Sequence, residues 1–204
     1  MKVFMEHTFS LLIAKDPVFK DIANLYGNPF FVTRPPGFES LCKIILEQQV
    51  SLESAKASFN KLKNLIVDFT PGNITEVSDA EFCECGISRQ KISYLRALAE
   101  AVLDGVIDFD SFTTKHPDEV RKELLKIKGI GNWTVDIYLM FCLQSPDILP
   151  LGDIGILSAI KDVWGFTDVN AMIEHSQTWA PYRTTAAFFL WHYYLEKRGR
   201  KFPY

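Results

Sequence analysis

Positive charge is scarce in this chain: 22 Lys and Arg stand against 25 Asp and Glu, a formal net charge of −3 at pH 7. That argues against a protein holding nucleic acid by bulk electrostatics and leaves only local contacts open to it. Long apolar runs are missing too. Those present, such as Ile137 to Leu143, are far too short to cross a bilayer, and the N-terminus lacks a basic-then-apolar export signal. A soluble, intracellular protein that is not secreted is therefore expected. Cysteine is sparse and scattered, at Cys42, Cys83, Cys85 and Cys142, and Cys42 and Cys142 fall on apolar helical faces. Buried, reduced thiols of a cytosolic protein are the expectation. Strand alternation, internal repeats and low-complexity segments are absent from the pattern.

What is plentiful is apolar residues at helical spacing. With 48% hydrophobic and 13% aromatic residues the composition is globular, and 204 residues suffice for one domain or two closely packed lobes. Phe38, Leu41, Cys42, Ile45, Leu46 and Gln49 recur at helical spacing, which predicts a helix whose apolar stripe ends in a polar residue. Ala55, Phe59, Leu62 and Ile66 predict a second helix, ended by Phe69-Thr70-Pro71-Gly72-Asn73. Ser88 could cap a third that buries Ile92, Leu95, Ala99 and Val102. Before Phe38, Asp16-Pro17, Asn28-Pro29 and Pro35-Pro36-Gly37 punctuate short helical and turn segments without strong periodicity. At about a dozen residues per helix, the expectation is an all-α fold of roughly eight to ten helices.

The densest pattern runs from Leu124 to Thr134 and continues to Pro150-Leu151-Gly152-Asp153. Pro117-Asp118-Glu119 suits a helix's first turn, with Val120, Leu124 and Ile127 at helical spacing behind it, and Trp133, Ile137, Met140 and Phe141 resume that spacing beyond the glycines. The stretch reads as helix, Gly-Ile-Gly hairpin, helix. Gly129 and Gly131 let the backbone turn tightly and a partner approach closely, while Ile130 pins the turn to the core. Backbone N–H groups at the start of the second helix would attract phosphate without a basic side chain, although paired glycines also serve as plain helix stops. The few bases cluster: Lys126 and Lys128 by the hairpin, and Lys197, Arg198, Arg200 and Lys201 in a tail that reads as a solvated end.

Five separated blocks then stand in one order: Arg34-Pro35-Pro36-Gly37-Phe38-Glu39-Ser40-Leu41 leading into Ile45-Leu46-Glu47-Gln48-Gln49-Val50-Ser51; Gly86-Ile87-Ser88-Arg89-Gln90-Lys91; the Leu124 to Thr134 hairpin; Pro150-Leu151-Gly152-Asp153; and Trp179-Ala180-Pro181-Tyr182-Arg183 with Trp191. Together they resemble the helix-hairpin-helix (HhH-GPD) DNA glycosylases, in the 3-methyladenine DNA glycosylase II branch. The resemblance implies an all-α, two-lobed glycosylase core, residues 1–204 as one domain with the helix-hairpin-helix at about 118–143 and a catalytic cleft between the lobes. A β-rich N-terminal domain is not expected, since only about 35 residues precede Phe38. The implied activity is monofunctional base excision repair: flipping out alkylated bases of the 3-methyladenine and 7-methylguanine type and removing them hydrolytically from duplex DNA. The implied partner is double-stranded DNA containing damaged bases, bound by a monomer with no membrane association, in the cytoplasm of a bacterium or the nucleus of a eukaryote. By the same match Gln49 intercalates, Gly129, Ile130, Gly131, Asn132 and Thr134 bind DNA, and Trp133, Trp191, Ile137 and Tyr138 line the base pocket. No cofactor is implied beyond a monovalent cation on the main-chain carbonyls of Leu125, Ile127 and Ile130. The iron–sulfur cluster of some relatives is not expected, as no cysteine lies beyond Cys142.

Cleaving an N-glycosidic bond passes through an oxocarbenium-like sugar, which a carboxylate can stabilise. Asp153 is the candidate, 22 positions after Gly131; it would also make a good N-cap for the helix after it, and both roles in one residue are expected. Asp136, inside the hairpin's second helix, and Asp147, in the Ser145-Pro146 turn, are weaker candidates. Relatives that also cut the backbone carry a lysine two positions after the second hairpin glycine. Here that position is Trp133, and an indole cannot form a Schiff base. A base that is already cationic needs no general acid, and electron-rich indoles would suit it by cation–π stacking. Three rivals stay open: a non-catalytic helix-hairpin-helix module that binds DNA or a protein, a bifunctional glycosylase/AP lyase, and an unrelated helical scaffold.

Overall fold

The computed structural model describes residues 2–200, the side chains from His7 on; Lys201 of the basic tail lies outside them. Along the chain, α1 (Lys2–Lys15) and α2 (Val18–Tyr26) come first, followed by α3 (Phe38–Glu47), α4 (Leu52–Leu65), α5 (Pro71–Glu76), α6 (Asp79–Glu84), α7 (Arg89–Leu103), α8 (Pro117–Leu124) and α9 (Asn132–Phe141). The chain closes with α10 (Ile154–Trp164), α11 (Val169–Gln177) and α12 (Arg183–Glu196), and no strand occurs among the described residues. The all-α expectation holds, with twelve α-helices instead of eight to ten. The surplus comes from short helices that carry no readable periodicity. Thr70 does not merely end α4: its hydroxyl accepts the Asn73 N–H and, with Pro71 in the first turn, starts α5. Ser78 and Glu81 form a reciprocal capping box that starts α6.

The backbone forms two compact units, one of Arg34–Leu143 and one of the chain on either side of it, up to Thr33 and from Gln144. In the first, α3 is the central helix, with Phe38, Leu41, Cys42, Ile44, Ile45 and Leu46 all buried, and it packs on α4, α7 and α9. That apolar surround makes its last residue unusual. Glu47 is buried, and its two carboxylate oxygens accept from Arg34 Nη1 and Nη2 at 3.0 and 2.9 Å. Arg34 also lies over the Phe141 ring and donates its backbone N–H to the Phe141 carbonyl at 2.8 Å, so the pair joins the ends of α3 and α9.

In the other unit, α12 is the buried helix, enclosed from Thr184 to His192 and packed by α1, α2 and α10. Aromatic rings fill the space around it: Phe19 touches Trp164, Trp179 and Phe189 at centroid distances of 5.6, 5.3 and 5.6 Å. Buried Asp16 accepts the Trp179 indole N–H at 3.0 Å, satisfying that ring's one donor. Of the cysteines, Cys42, Cys85 and Cys142 are buried, but Cys83 is exposed, because it lies on the solvent side of the short α6. Burial pushes the Cys142 thiol up to about 12, which keeps it protonated and unreactive.

Breaking the Arg34–Glu47 pair leaves a buried charge unmatched, so Glu47→Ala should cost about 3–5 kcal/mol, whereas Arg34→Met with Glu47→Leu should be close to neutral. Urea denaturation of the two variants checks this: equal losses would mean the pair is not buried as described.

Candidate functional site

The hairpin is α8, the turn from Leu125 to Gly131, and α9. His116 starts α8 through a capping box with Glu119, behind Pro117 in the first turn. Ile127 and Ile130 are buried, and the Ile130 N–H donates to the Ile127 carbonyl at 3.1 Å, which closes the turn. Gly129 has a φ of +86°, and a Cβ there would sit 2.0 Å from Cγ of Tyr94 on α7, inside the ring. No other residue fits.

Two side chains brace the turn from outside it. Gln48 Nε2, just past the end of α3, donates to the Gly129 carbonyl and to the Thr134 hydroxyl, both at 2.9 Å. Arg121 on α8 pairs with Asp136 on α9 and donates to the Asn132 side-chain oxygen at 3.3 Å. Burial raises the Asp136 carboxyl above its ordinary range although Arg121 opposes it. Asp136 is thus an internal strut.

Gly131, the N-cap of α9, is different from Gly129. Its φ of −104° suits any residue, it is exposed, and a Cβ would meet nothing within 4 Å. No side chain hydrogen-bonds from the N-cap of α9, and the helix starts at two exposed residues, Gly131 and Asn132. The fold does not require this glycine.

Several expectations need correcting. Tyr138 is 0% exposed in the core of its unit: its hydroxyl accepts the Gly37 N–H at 3.0 Å, and its ring packs against Phe109 and Phe112. It is not a pocket wall. Ile137, at 3% exposed, has little surface to offer a base. The Thr134 side chain is buried and taken by Gln48, and that of Ile130 is in the core, so neither side chain is open to a ligand. Gln49 does not end the helical stripe of α3; it lies in the α3–α4 turn, exposed and left-handed with a φ of 57°. Helical spacing could not show this, because the helix stops two residues earlier. Trp133 is half-buried in the first turn of α9.

Asp153 belongs to the other unit, at the start of α10. Its Oδ1 accepts three N–H groups: Gly155 N at 2.8 Å, Ile156 N at 3.1 Å and Trp191 Nε1 at 3.0 Å. The expected cap is present, and Trp191 presents its indole edge to the carboxylate. Asp153 is half-buried and Ile154 beside it is 78% exposed, so this end of α10 is open to solvent. Gly155 makes the arrangement possible, since a Cβ there would come within 3.0 Å of Asp153 Oδ1 and 3.3 Å of Trp191. Gly155 is the second residue of α10, and a glycine inside a helix is a poor helix former, which was the available signal for it.

The approach to Asp153 is fastened at α12. Arg183 grips Asp147 with Nε and Nη2 at 2.7 and 2.8 Å, and the Thr184 hydroxyl donates to Ser145 O at 2.6 Å while accepting the Ile148 N–H at 3.0 Å. Burial works against the Asp147 carboxylate, but the bonds from Arg183 prevail and hold it below the usual range. Asp147 is therefore an anchor for the loop.

Comparison with known proteins gives the family. Residues 42–181 fit the HhH-GPD superfamily of base excision DNA repair proteins. The chain is 31% identical over 179 residues to Schizosaccharomyces pombe DNA-3-methyladenine glycosylase 1, covering 84% of this chain and 78% of the relative. It superposes on a 3-methyladenine DNA glycosylase from S. pombe, solved with abasic DNA, at a TM-score of 0.83, 29% identity and coverage of 91% and 95%. A DNA-3-methyladenine glycosidase from Bacillus halodurans gives a TM-score of 0.79 at 32% identity, covering 92% of this chain and 89% of that one.

The two hairpin glycines should separate in a melting experiment. Gly129→Ala forces a Cβ into Tyr94 and a strained φ and should cost about 1–3 kcal/mol, while Gly131→Ala should change stability by less than about 0.5 kcal/mol. Equal melting temperatures for the two variants would contradict the packing described.

Proposed function

Because the chain belongs to the HhH-GPD superfamily of base excision DNA repair proteins, we propose that it is a monofunctional DNA glycosylase that removes alkylated bases of the 3-methyladenine type from duplex DNA. The observation that carries this reading is Asp153, a carboxylate with one oxygen locked by three donors at a solvent-open helix start. Orienting groups this fixed require no reorganisation during reaction.

The damaged nucleotide leaves the stack, and Gln49 fills the gap. Gln48, which precedes it, is bonded to the hairpin, so wedge and hairpin are held in one frame. The exposed backbone at Gly131 and the first N–H groups of α9, those of Asn132, Trp133 and Thr134, take a phosphate. The carbonyls of Leu125, Ile127 and Ile130 follow the C-terminus of α8, the negative end of its dipole, and by the family match these neutral oxygens would hold an alkali-metal ion, the Ile127 carbonyl while also accepting the Ile130 N–H. When bound, that ion adds positive charge for the same phosphate.

The glycosidic bond then breaks heterolytically. Its electron pair goes to the base, which leaves neutral if methylation had made it cationic, so no acid is needed. Asp153 stabilises the positive sugar and orients water, which adds to C1′ and loses its proton to bulk solvent. With Trp133 at the lysine position of bifunctional relatives, the reaction ends at the abasic site. By the family match the Trp133 indole would suit a cationic base by stacking, and Trp191 holds Asp153. Such an enzyme works where the genome is, in the nucleoid or the nucleus. Among the described residues no helix is long and apolar enough to cross a membrane.

Incubation with methylated duplex DNA, with chromatography of the free bases, tests the reading directly; no released base would defeat it. Asp153→Asn keeps an oxygen for all three donors and caps about as well, so melting should be unchanged. Loss of the charge should slow single-turnover excision by roughly a hundredfold or more, about 3 kcal/mol. Full activity in that variant would leave Asp153 a cap only. Gln49→Ala should bind an abasic-site analogue several-fold more weakly with no change in stability, and a folding defect instead would return Gln49 to the structure.

A further inference from the structure

The basic residues of the unit that carries Asp153 are not equivalent. Arg183 is matched by Asp147, and Lys197 donates to Asp162 at 2.9 Å. Arg198, the next residue, is held just as firmly by neutral partners. Its guanidinium lies 3.8 Å from the centroid of the Tyr194 ring, Nη1 donates to the Tyr194 carbonyl at 3.0 Å, and Nη2 donates to the Ser158 hydroxyl at 3.2 Å. Among the described residues no carboxylate lies within ion-pair distance of it. Stacking and two hydrogen bonds thus fix the plane of an exposed guanidinium without cancelling its charge, and its remaining N–H groups face outward.

Its position connects it to the carboxylate. Ser158 lies on α10, whose N-terminus Asp153 caps, at a rise of about 7–8 Å from that cap. On α12, Trp191, Tyr194 and Arg198 follow one another at i, i+3 and i+7, one face of a helix and its continuation. Tyr194 meets the same point as Trp191 and Asp153: a Cβ on Gly155 would be 3.3 Å from the Tyr194 ring, 3.3 Å from Trp191 and 3.0 Å from Asp153 Oδ1. A negative Asp153 aimed at a sugar also faces the phosphates on either side of that sugar, and like charges a few ångströms apart repel. A fixed cation hydrogen-bonded to Ser158, on the helix that Asp153 caps, offsets that repulsion.

On the reading of Asp153 given above, we propose that Arg198 binds a phosphodiester of the DNA strand carrying the flipped nucleotide, as an anchor separate from the helix-hairpin-helix. Its planar fork suits two phosphate oxygens, and the stack on Tyr194 lowers the entropy lost on binding. The C-terminal turn after α12 is then a DNA-contacting element and not a solvated end.

The test measures binding of a duplex containing a tetrahydrofuran abasic analogue as a function of KCl concentration. Arg198→Gln should weaken binding several-fold at low salt and reduce the slope of log K against log salt by about one. Arg198→Lys should retain the parent slope, because charge is kept where stacking is lost. Melting curves of both variants ensure that binding is measured on folded protein. An unchanged slope in Arg198→Gln, or an equal fall in Arg198→Lys, overturns the proposal. The glycosylase reading is tested separately by the unmodified protein: if it excises methylated bases while Arg198→Gln keeps its slope, only the role of Arg198 is lost.

Discussion

One amide nitrogen ties both sides of the hairpin turn to the end of α3. Gln48 Nε2 reaches the Gly129 carbonyl on one side of the turn and the Thr134 hydroxyl on the other. Because Gln48 follows Glu47, whose carboxylate is clamped by Arg34, the bond extends a rigid chain of contacts from the buried end of α3. Tyr94 closes the opposite side by filling the space where any side chain at residue 129 would stand. A turn braced in this way presents its exposed backbone in one geometry, and a ligand does not have to order it on binding.

The charge economy follows the same logic. An acidic chain cannot gather a polyanion from a distance, and the ionic interactions inside this one are spent on its own architecture: Arg34 on Glu47, Arg121 on Asp136, Arg183 on Asp147. Among what is left for a phosphate are the backbone dipole at α9 and, on the proposal above, Arg198, a cation held by neutral groups. Affinity built from a few oriented contacts depends on shape, and shape is what a flipped nucleotide at a damaged site provides.

The fold class was legible because helix starts here are written locally: Ser51, Thr70, Ser78, Ser88, Asp153 and Asp168 each accept an N–H in their own first turn. The hairpin and Asp153 were legible for the same reason, as short motifs. What was hidden is tertiary. Helix α9 is buried on every side from Thr134 to Phe141, so spacing could not tell a pocket wall from core, and Tyr138 was misplaced. The brace from Gln48 spans 81 and 86 positions and leaves no periodic trace, and its exposed neighbour Gln49 drew the assignment. Gly155 explains itself only once Trp191 and Tyr194 are seen against it.

On the proposed reading, Asp153 carries a structural and a chemical role without conflict. A cap needs only an oxygen at the helix start, and Oδ1 supplies it to Gly155 and Ile156. Chemistry needs a fixed negative charge near a reacting sugar. The third donor, Trp191 Nε1, serves both, because it anchors the cap to α12 and restricts rotation of the carboxylate. An alanine variant would therefore lose stability and activity together and could not say which role mattered. Asparagine divides them, because the hydrogen bonds depend on the oxygen and the sugar's stabilisation depends on the charge.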